Sequence, residues 1–123
     1  MPYSIDWKDN NVIITFNGTL RLKDVLDVNN TLYGDARFDD MNFQITDFRL
    51  VEEIDVDEID VSVIASLDKA SSNWNPNMKL ANITSNEFGK EMIKKYSGIL
   101  DGTGWQVETF DDMEDAVKWC NES

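Results

Sequence analysis

FQITDFRLVEEIDVDEIDVSVIASL, residues 43–67, carries a strand, an acidic turn and a helix in one continuous run. Phe43 and Ile45 share a period-2 face with Asp47, which predicts a strand over Asn42 to Phe48. Glu52, Glu53, Asp55, Asp57, Glu58 and Asp60 then read as a short acidic loop. An apolar stripe at helical spacing starts inside that loop and runs through Val56, Ile59, Val63, Leu67, Ala70 and Trp74. Asp55, Asp57 and Glu58 lie near the helix start, where the peptide dipole favours negative charge. A strand followed by a helix in this manner belongs to an α/β protein. In such proteins, partners and ligands are met where the chain leaves a central strand for the next helix.

The rest of the chain extends the pattern in both directions. Tyr3, Ile5 and Trp7 alternate with polar residues, and Val12 to Phe16 is rich in β-branched side chains, so two strands form a hairpin across Asp9-Asn10-Asn11 that Gly18 closes. Leu22 to Tyr33 has helical spacing and stops at Gly34. After the central run, Met78 to Ile83 reads as a fourth strand. A third helix follows, capped at Thr84 or Ser85 and striped by Phe88, Met92, Ile93 and Tyr96. Asp101-Gly102-Thr103-Gly104 is a turn, Trp105, Val107 and Thr109 alternate as a fifth strand, and Asp111 with Glu114 opens a last helix through Cys120. The order ββαβαβαβα predicts one α/β domain over residues 1–123, with a mixed, mostly parallel five-stranded sheet and about four helices.

Composition narrows the function. The 123 residues include 24 acids against 11 bases, a net charge of −13, which repels nucleic acid phosphates. Met1 to Lys8 shows no basic region leading into an apolar run, and no apolar stretch approaches the roughly 20 residues that cross a bilayer. With a single cysteine, Cys120, the expectation is a cytoplasmic protein without a membrane span. There is no histidine, so a serine or cysteine nucleophile lacks its usual base, and zinc lacks its usual ligands. The acidic run fails the calcium-loop pattern, because no glycine stands at its turn and Ser66 stands where glutamate would be needed. Asp47 closes a central strand as in a phosphoacceptor domain, yet the fifth strand brings no lysine; a capping role in the local turn is the simpler reading. Lys90, Lys94 and Lys95 are accounted for by helical pairing with Glu87 and Glu91. A hydrolase built on paired carboxylates has only the abundance of acids behind it. No cofactor and no metal are expected.

Particular segments carry a family resemblance. Gly18-Thr19-Leu20 stands before the first helix, Asp35-Ala36-Arg37-Phe38 before strand three, and Gln44-Ile45-Thr46-Asp47-Phe48 within it. Lys79-Leu80-Ala81-Asn82-Ile83 forms strand four, and Phe110 to Trp119 has the spacing Phe-x-x-x-x-x-Ala-x-x-Trp. Together they resemble the SpoIIAA-like branch of the STAS and Sec14-like families. The resemblance implies a binding module of the anti-sigma-factor-antagonist type, whose relatives dock a partner near the start of helix two and are switched by phosphorylation of a serine there. In this chain the matching window, Ile54-Asp55-Val56-Asp57-Glu58, has no hydroxyl, and Ser62 lies more than a turn further on. Fixed charge stands where such relatives carry a conditional one.

Two functions follow as expectations. The first is a non-catalytic module that presents Asp47, Asp55, Asp57 and Glu58 to a protein partner with a basic surface. The second is binding of a small apolar ligand or lipid in the Sec14-like manner, in a groove lined by Trp7, Phe38 and Trp74. Self-association, if it occurs, is expected as a two-fold homodimer.

Overall fold

The computed structural model describes residues 2–122. Its elements are β1 (Tyr3–Lys8), β2 (Asn11–Arg21), α1 (Leu22–Tyr33), a short 3₁₀ turn (Ala36–Asp40), β3 (Phe43–Asp55), α2 (Glu58–Ser71), β4 (Lys79–Ile83), α3 (Glu87–Ile99), β5 (Gln106–Phe110) and α4 (Met113–Cys120). The strands lie in the order β1-β2-β3-β4-β5 in one sheet. β1 is antiparallel to β2, and every later pair is parallel. This is the predicted mixed, mostly parallel α/β arrangement.

The strand order fixes where the helices go. Each parallel crossover steps one strand in the same direction, and crossovers of this kind are right-handed, so α1, α2 and α3 share one face of the sheet. That face holds the larger core, with Val12, Ile14, Phe16, Val28, Leu32, Val61 and Leu80. α4 follows the last strand and covers the other face with Ala116 and Cys120 against Ile45, Ala81 and Ile83. Tyr3, Ile5 and Trp7 lie opposite Phe16, Ile14 and Val12 in the hairpin and pack against the larger core.

Several elements depart from their sequence expectations. β2 runs five residues past Phe16 to Arg21, with Gly18 inside it at φ +68°. β3 runs through Asp55, so most of the expected acidic loop is strand. Its extension pairs with β2 from Asn17↔Leu50 to Arg21↔Asp55, with register shifts between Thr15 and Asn17 and between Gly18 and Thr19. Each shift inserts an additional β3 residue, and the strand therefore turns Phe48, Val51 and Ile54 inward at every third position. The left-handed backbone of Gly18 sits at the second irregularity. The caps also differ. Asn86, rather than Thr84 or Ser85, caps α3 by accepting from Gly89 N at 2.8 Å, while Thr84 Oγ1 accepts from Asn86 N. Asp112 caps α4 by accepting from Asp115 N.

Candidate functional site

The larger departure is in α2, whose two faces exchange the roles the sequence suggested. The side that packs on the core carries Val61, Ile64, Ala65, Asp68 and Ser71. Of the expected stripe, Val56 is buried just before the helix begins, whereas Ile59, Val63, Leu67 and Ala70, with Trp74 in the following turn, face solvent. Ile59 is 75% exposed, Leu67 44% and Trp74 68%. Isolated exposed apolar residues are ordinary; a row of them along one helix is not, because such patches mark interaction surfaces.

Acids crowd one end of this row. Asp57 is the N-cap of α2: its carboxylate accepts from Asp60 N at 2.8 Å, and Asp60 accepts from Asp57 N at 3.2 Å. This reciprocal capping box satisfies two amides that the first turn would otherwise leave open. Glu58 is exposed and pairs with Lys95 of α3 at 3.4 Å, which ties the two helices at their surface. Asp55 ends β3 and is exposed.

Asp47 is placed elsewhere. It is buried on the α4 side of the sheet, between Thr15 and Ile83 of the neighbouring strands. Its two oxygens take a bidentate fork from Arg49, at 3.0 and 2.8 Å, and Oδ1 also accepts from Arg49 N. Burial raises the Asp47 pKa, but the Arg49 hydrogen bonds and charge outweigh it and hold the carboxyl below its ordinary value. Asp47 thus lies inside β3 rather than at its end, caps no turn, and serves Arg49 two residues on, apart from Asp55, Asp57 and Glu58.

The proposed aromatic groove is not assembled either. Phe38 is 3% exposed and packs edge-on against Tyr33 and Trp105 in the core. Trp7 is covered by the Arg37 guanidinium, 3.9 Å from the ring centre. Trp74 belongs to the α2 stripe. None of the three lines the cavity on the larger-core face of the sheet.

That cavity, of about 280 Å³, lies between the sheet and the three helices on its larger-core face. The sheet supplies Ile14, Phe16, Gln44, Thr46, Leu80 and Asn82, and the bulged end of β3 adds Phe48, Val51 and Ile54. Helices α1, α2 and α3 contribute Val25, Val61, Ile64, Met92 and Ile93 among others. α3 has no fully buried residue, because its apolar side faces this space.

At the edge of the cavity stands a polar junction that the sequence reading missed. Asp68 of α2 is buried and accepts hydrogen bonds from the Tyr33 hydroxyl of α1, from the Tyr96 hydroxyl of α3 at 2.5 Å, and from Asn29 Nδ2 at 3.4 Å. One carboxylate therefore joins three helices. Burial raises its pKa to about 6, and the two tyrosine hydrogen bonds restrain the rise. Burial and the facing carboxylate push both tyrosines above their ordinary value. An acid at position 68 in an otherwise apolar helix face was the available signal.

The remaining reactive groups are quiet. Cys120 is buried in the smaller core, and burial pushes its thiol up to about 11. Ser62 donates to the Glu58 carbonyl at 3.1 Å. Lys90 pairs with Glu87 and Asp111, each at 3.9 Å. Among the described residues, no group of three or more His, Cys, Asp or Glu side chains could hold a metal ion, and no helix is long and apolar enough to cross a membrane.

The sheet order, the helix layers and the position of α4 define a SpoIIAA-like α/β domain. The chain is similar over 96% of its length to the crystal structure of an uncharacterized DUF3478-family protein with a SpoIIAA-like fold from Shewanella loihica PV-4. That similarity has a TM-score of 0.57, 14% sequence identity and 91% coverage of the other chain, and it establishes the fold. No protein-family model matches the chain, and no curated protein matches it in sequence.

Proposed function

We propose that this chain is a non-catalytic, cytoplasmic binding module that docks a protein partner on the outer face of α2. The site comprises the acids at the helix start, Asp55, Asp57 and Glu58, and the apolar row that follows them. The single observation carrying this reading is the exposure of Ile59, 75%, at the head of a row ending in Trp74. A partner that covers the row desolvates it, and aromatic anchors such as Trp74 contribute strongly to interfaces of this type.

Charge selects the kind of partner. With −13 overall and acids grouped at the upper end of the row, a second copy of the chain would bring like charges together. A protein with an apolar centre and a basic rim is complementary in both respects. Nucleic acid is not, because its backbone carries the same sign. Docking at the start of helix two agrees with what the SpoIIAA-like resemblance implies. Here the charge is permanent, since Ile54 to Glu58 contains no hydroxyl to phosphorylate.

The test is affinity purification from the source cells with wild type, Leu67→Glu and Val117→Glu, followed by titration of the captured partner. Val117 is an exposed apolar residue on α4, remote in sequence and on the other sheet face. The expected result is a partner retained by wild type and Val117→Glu, lost with Leu67→Glu, and bound more weakly as salt rises. Equal capture by all three proteins overturns the proposal.

A further inference from the structure

The cavity beneath α3 has a chemistry of its own, independent of the outer face of α2. Its walls are mainly hydrocarbon and aromatic: Phe16 and Phe48 stack there with ring centres 5.7 Å apart. Its floor is not. Gln44, Thr46 and Asn82 line it from the middle of the sheet, where parallel strands are ordinarily apolar. Gln44 Nε2 donates to Thr46 Oγ1 at 3.1 Å, and the pair thereby sets an amide and a hydroxyl side by side in the floor.

Among the described residues, no lysine or arginine lines the space, and the charged residues that do are the acids Glu52 and Asp68. Asp68 already accepts from two tyrosines and an asparagine. A carboxylate or phosphate entering here would lose its hydration without finding a cation, and would meet negative charge as well. Fatty acid anions and phospholipid head groups are therefore poor occupants. A neutral molecule with one hydroxyl or carbonyl suits both the walls and the floor.

Size limits the occupant further. A cavity of about 150 Å³ accepts benzene, so about 280 Å³ accommodates roughly ten to twelve non-hydrogen atoms. α3 is the less tightly packed wall: none of its residues is fully buried, and Phe88, Met92 and Ile93 line the space, although Met92 and Tyr96 also touch the core. A ligand would supply contacts that this helix now lacks.

We propose that the cavity between α3 and the sheet is a binding site for a small, uncharged, largely hydrocarbon molecule bearing a hydrogen-bonding group, held by Gln44, Thr46 and Asn82. Three probes on one bicyclic ring system separate this chemistry from its alternatives: naphthalene, 2-naphthol and the slightly larger 2-naphthoate. Each is titrated into ¹⁵N-labelled full-length protein at about pH 8, where the naphthol is mostly neutral and the carboxylate is ionised.

The expected order is 2-naphthol tightest, naphthalene about fivefold weaker for want of one hydrogen bond, and 2-naphthoate at least about tenfold weaker than the naphthol. The largest amide shifts should fall on α3 and on the floor strands β3 and β4. Thr46→Val, which removes the hydroxyl at nearly constant volume, should bring 2-naphthol close to naphthalene while leaving naphthalene unchanged. The wild-type order stands as a test even if that variant does not fold. Failure of all three probes to bind, equal affinity for naphthoate, or shifts confined to the outer face of α2 would each overturn the proposal.

Discussion

The Tyr96 hydroxyl of α3 donates a 2.5 Å hydrogen bond to the buried Asp68 carboxylate of α2, which also receives the Tyr33 hydroxyl of α1. This contact makes the helix layer one unit, and it places a titratable group inside it. The folded protein holds a proton on Asp68 up to about pH 6, against an ordinary value of 3.8. Between those values the native state binds more protons than the unfolded chain. Asp68 therefore contributes more stability as pH falls through 6 toward 4, and that contribution is lost as pH rises.

Asp68→Asn removes this dependence while keeping the side-chain shape. The wild type should gain about 1–2 kcal/mol relative to the variant between about pH 7.5 and about pH 5, a range that stays above the isoelectric point near 4.1. Urea unfolding of both proteins at each pH measures it. Parallel pH profiles would show that the carboxyl titrates as an ordinary exposed acid.

The two faces of α2 should respond in opposite ways to mutation. Ile59→Ser and Leu67→Ser alter exposed side chains and should change unfolding free energy by no more than about 0.5 kcal/mol. Val61→Ala, on the buried side, should cost about 1–2 kcal/mol, since it removes buried methyl groups and enlarges the adjoining cavity. A comparable loss at Ile59 would mean that this residue is packed rather than presented.

Asp57 combines two roles that charge and shape can separate. Asp57→Ala should destabilise the protein by about 1 kcal/mol through loss of the α2 cap, whereas Asp57→Ser should retain most of that stability. Both variants lose the negative charge, so both should weaken a basic partner by a similar, salt-sensitive factor. Unfolding curves and partner titrations on the same two proteins distinguish the contributions.

Much of this architecture was legible in the sequence. α1 occupies its expected span, β4 and β5 fall where alternation placed them, and the mixed sheet follows from the order of elements. α2 was legible as a helix but not in orientation. Ile59, Val61, Val63, Ile64, Ala65 and Leu67 encircle it, so apolar spacing fits either face. The choice is made by Asp68 with Tyr33 and Tyr96, polar side chains that a hydropathy pattern discounts. The end of β3 was hidden for a geometric reason. Two register shifts turn its inward period from two to three, and Phe48, Val51 and Ile54 among charges resemble a loop. The cavity was invisible because Gln44 and Thr46 of β3 and Asn82 of β4 are brought to one floor only by the pairing of those strands.

Gly104 offers a test of whether the two ends of the sheet are independent. A Cβ built on it would lie 1.9 Å from the Pro76 carbonyl oxygen, so the α2–β4 and α3–β5 connections touch backbone to backbone. Beside that contact, Trp105 Nε1 donates to the Asn75 carbonyl at 2.5 Å, and Asn75 Nδ2 donates to the Phe38 and Met41 carbonyls at 2.9 Å each. Three chain segments are thus joined where strands β3, β4 and β5 begin. Gly104→Ala must push a carbonyl away and should cost about 1–3 kcal/mol or more, seen as a lower midpoint in urea. The start of α2 and the part of the cavity lined by Ile54, Val56, Thr84 and Asn86 lie toward the opposite ends of these strands, and the floor reaches back from there to Gln44 and Leu80. Under conditions where the variant is still folded, its affinities for 2-naphthol and for a partner protein should therefore match those of the wild type. A variant that keeps full stability would deny the close approach at Pro76. One that loses stability and binding together while folded would tie the functional end to this corner.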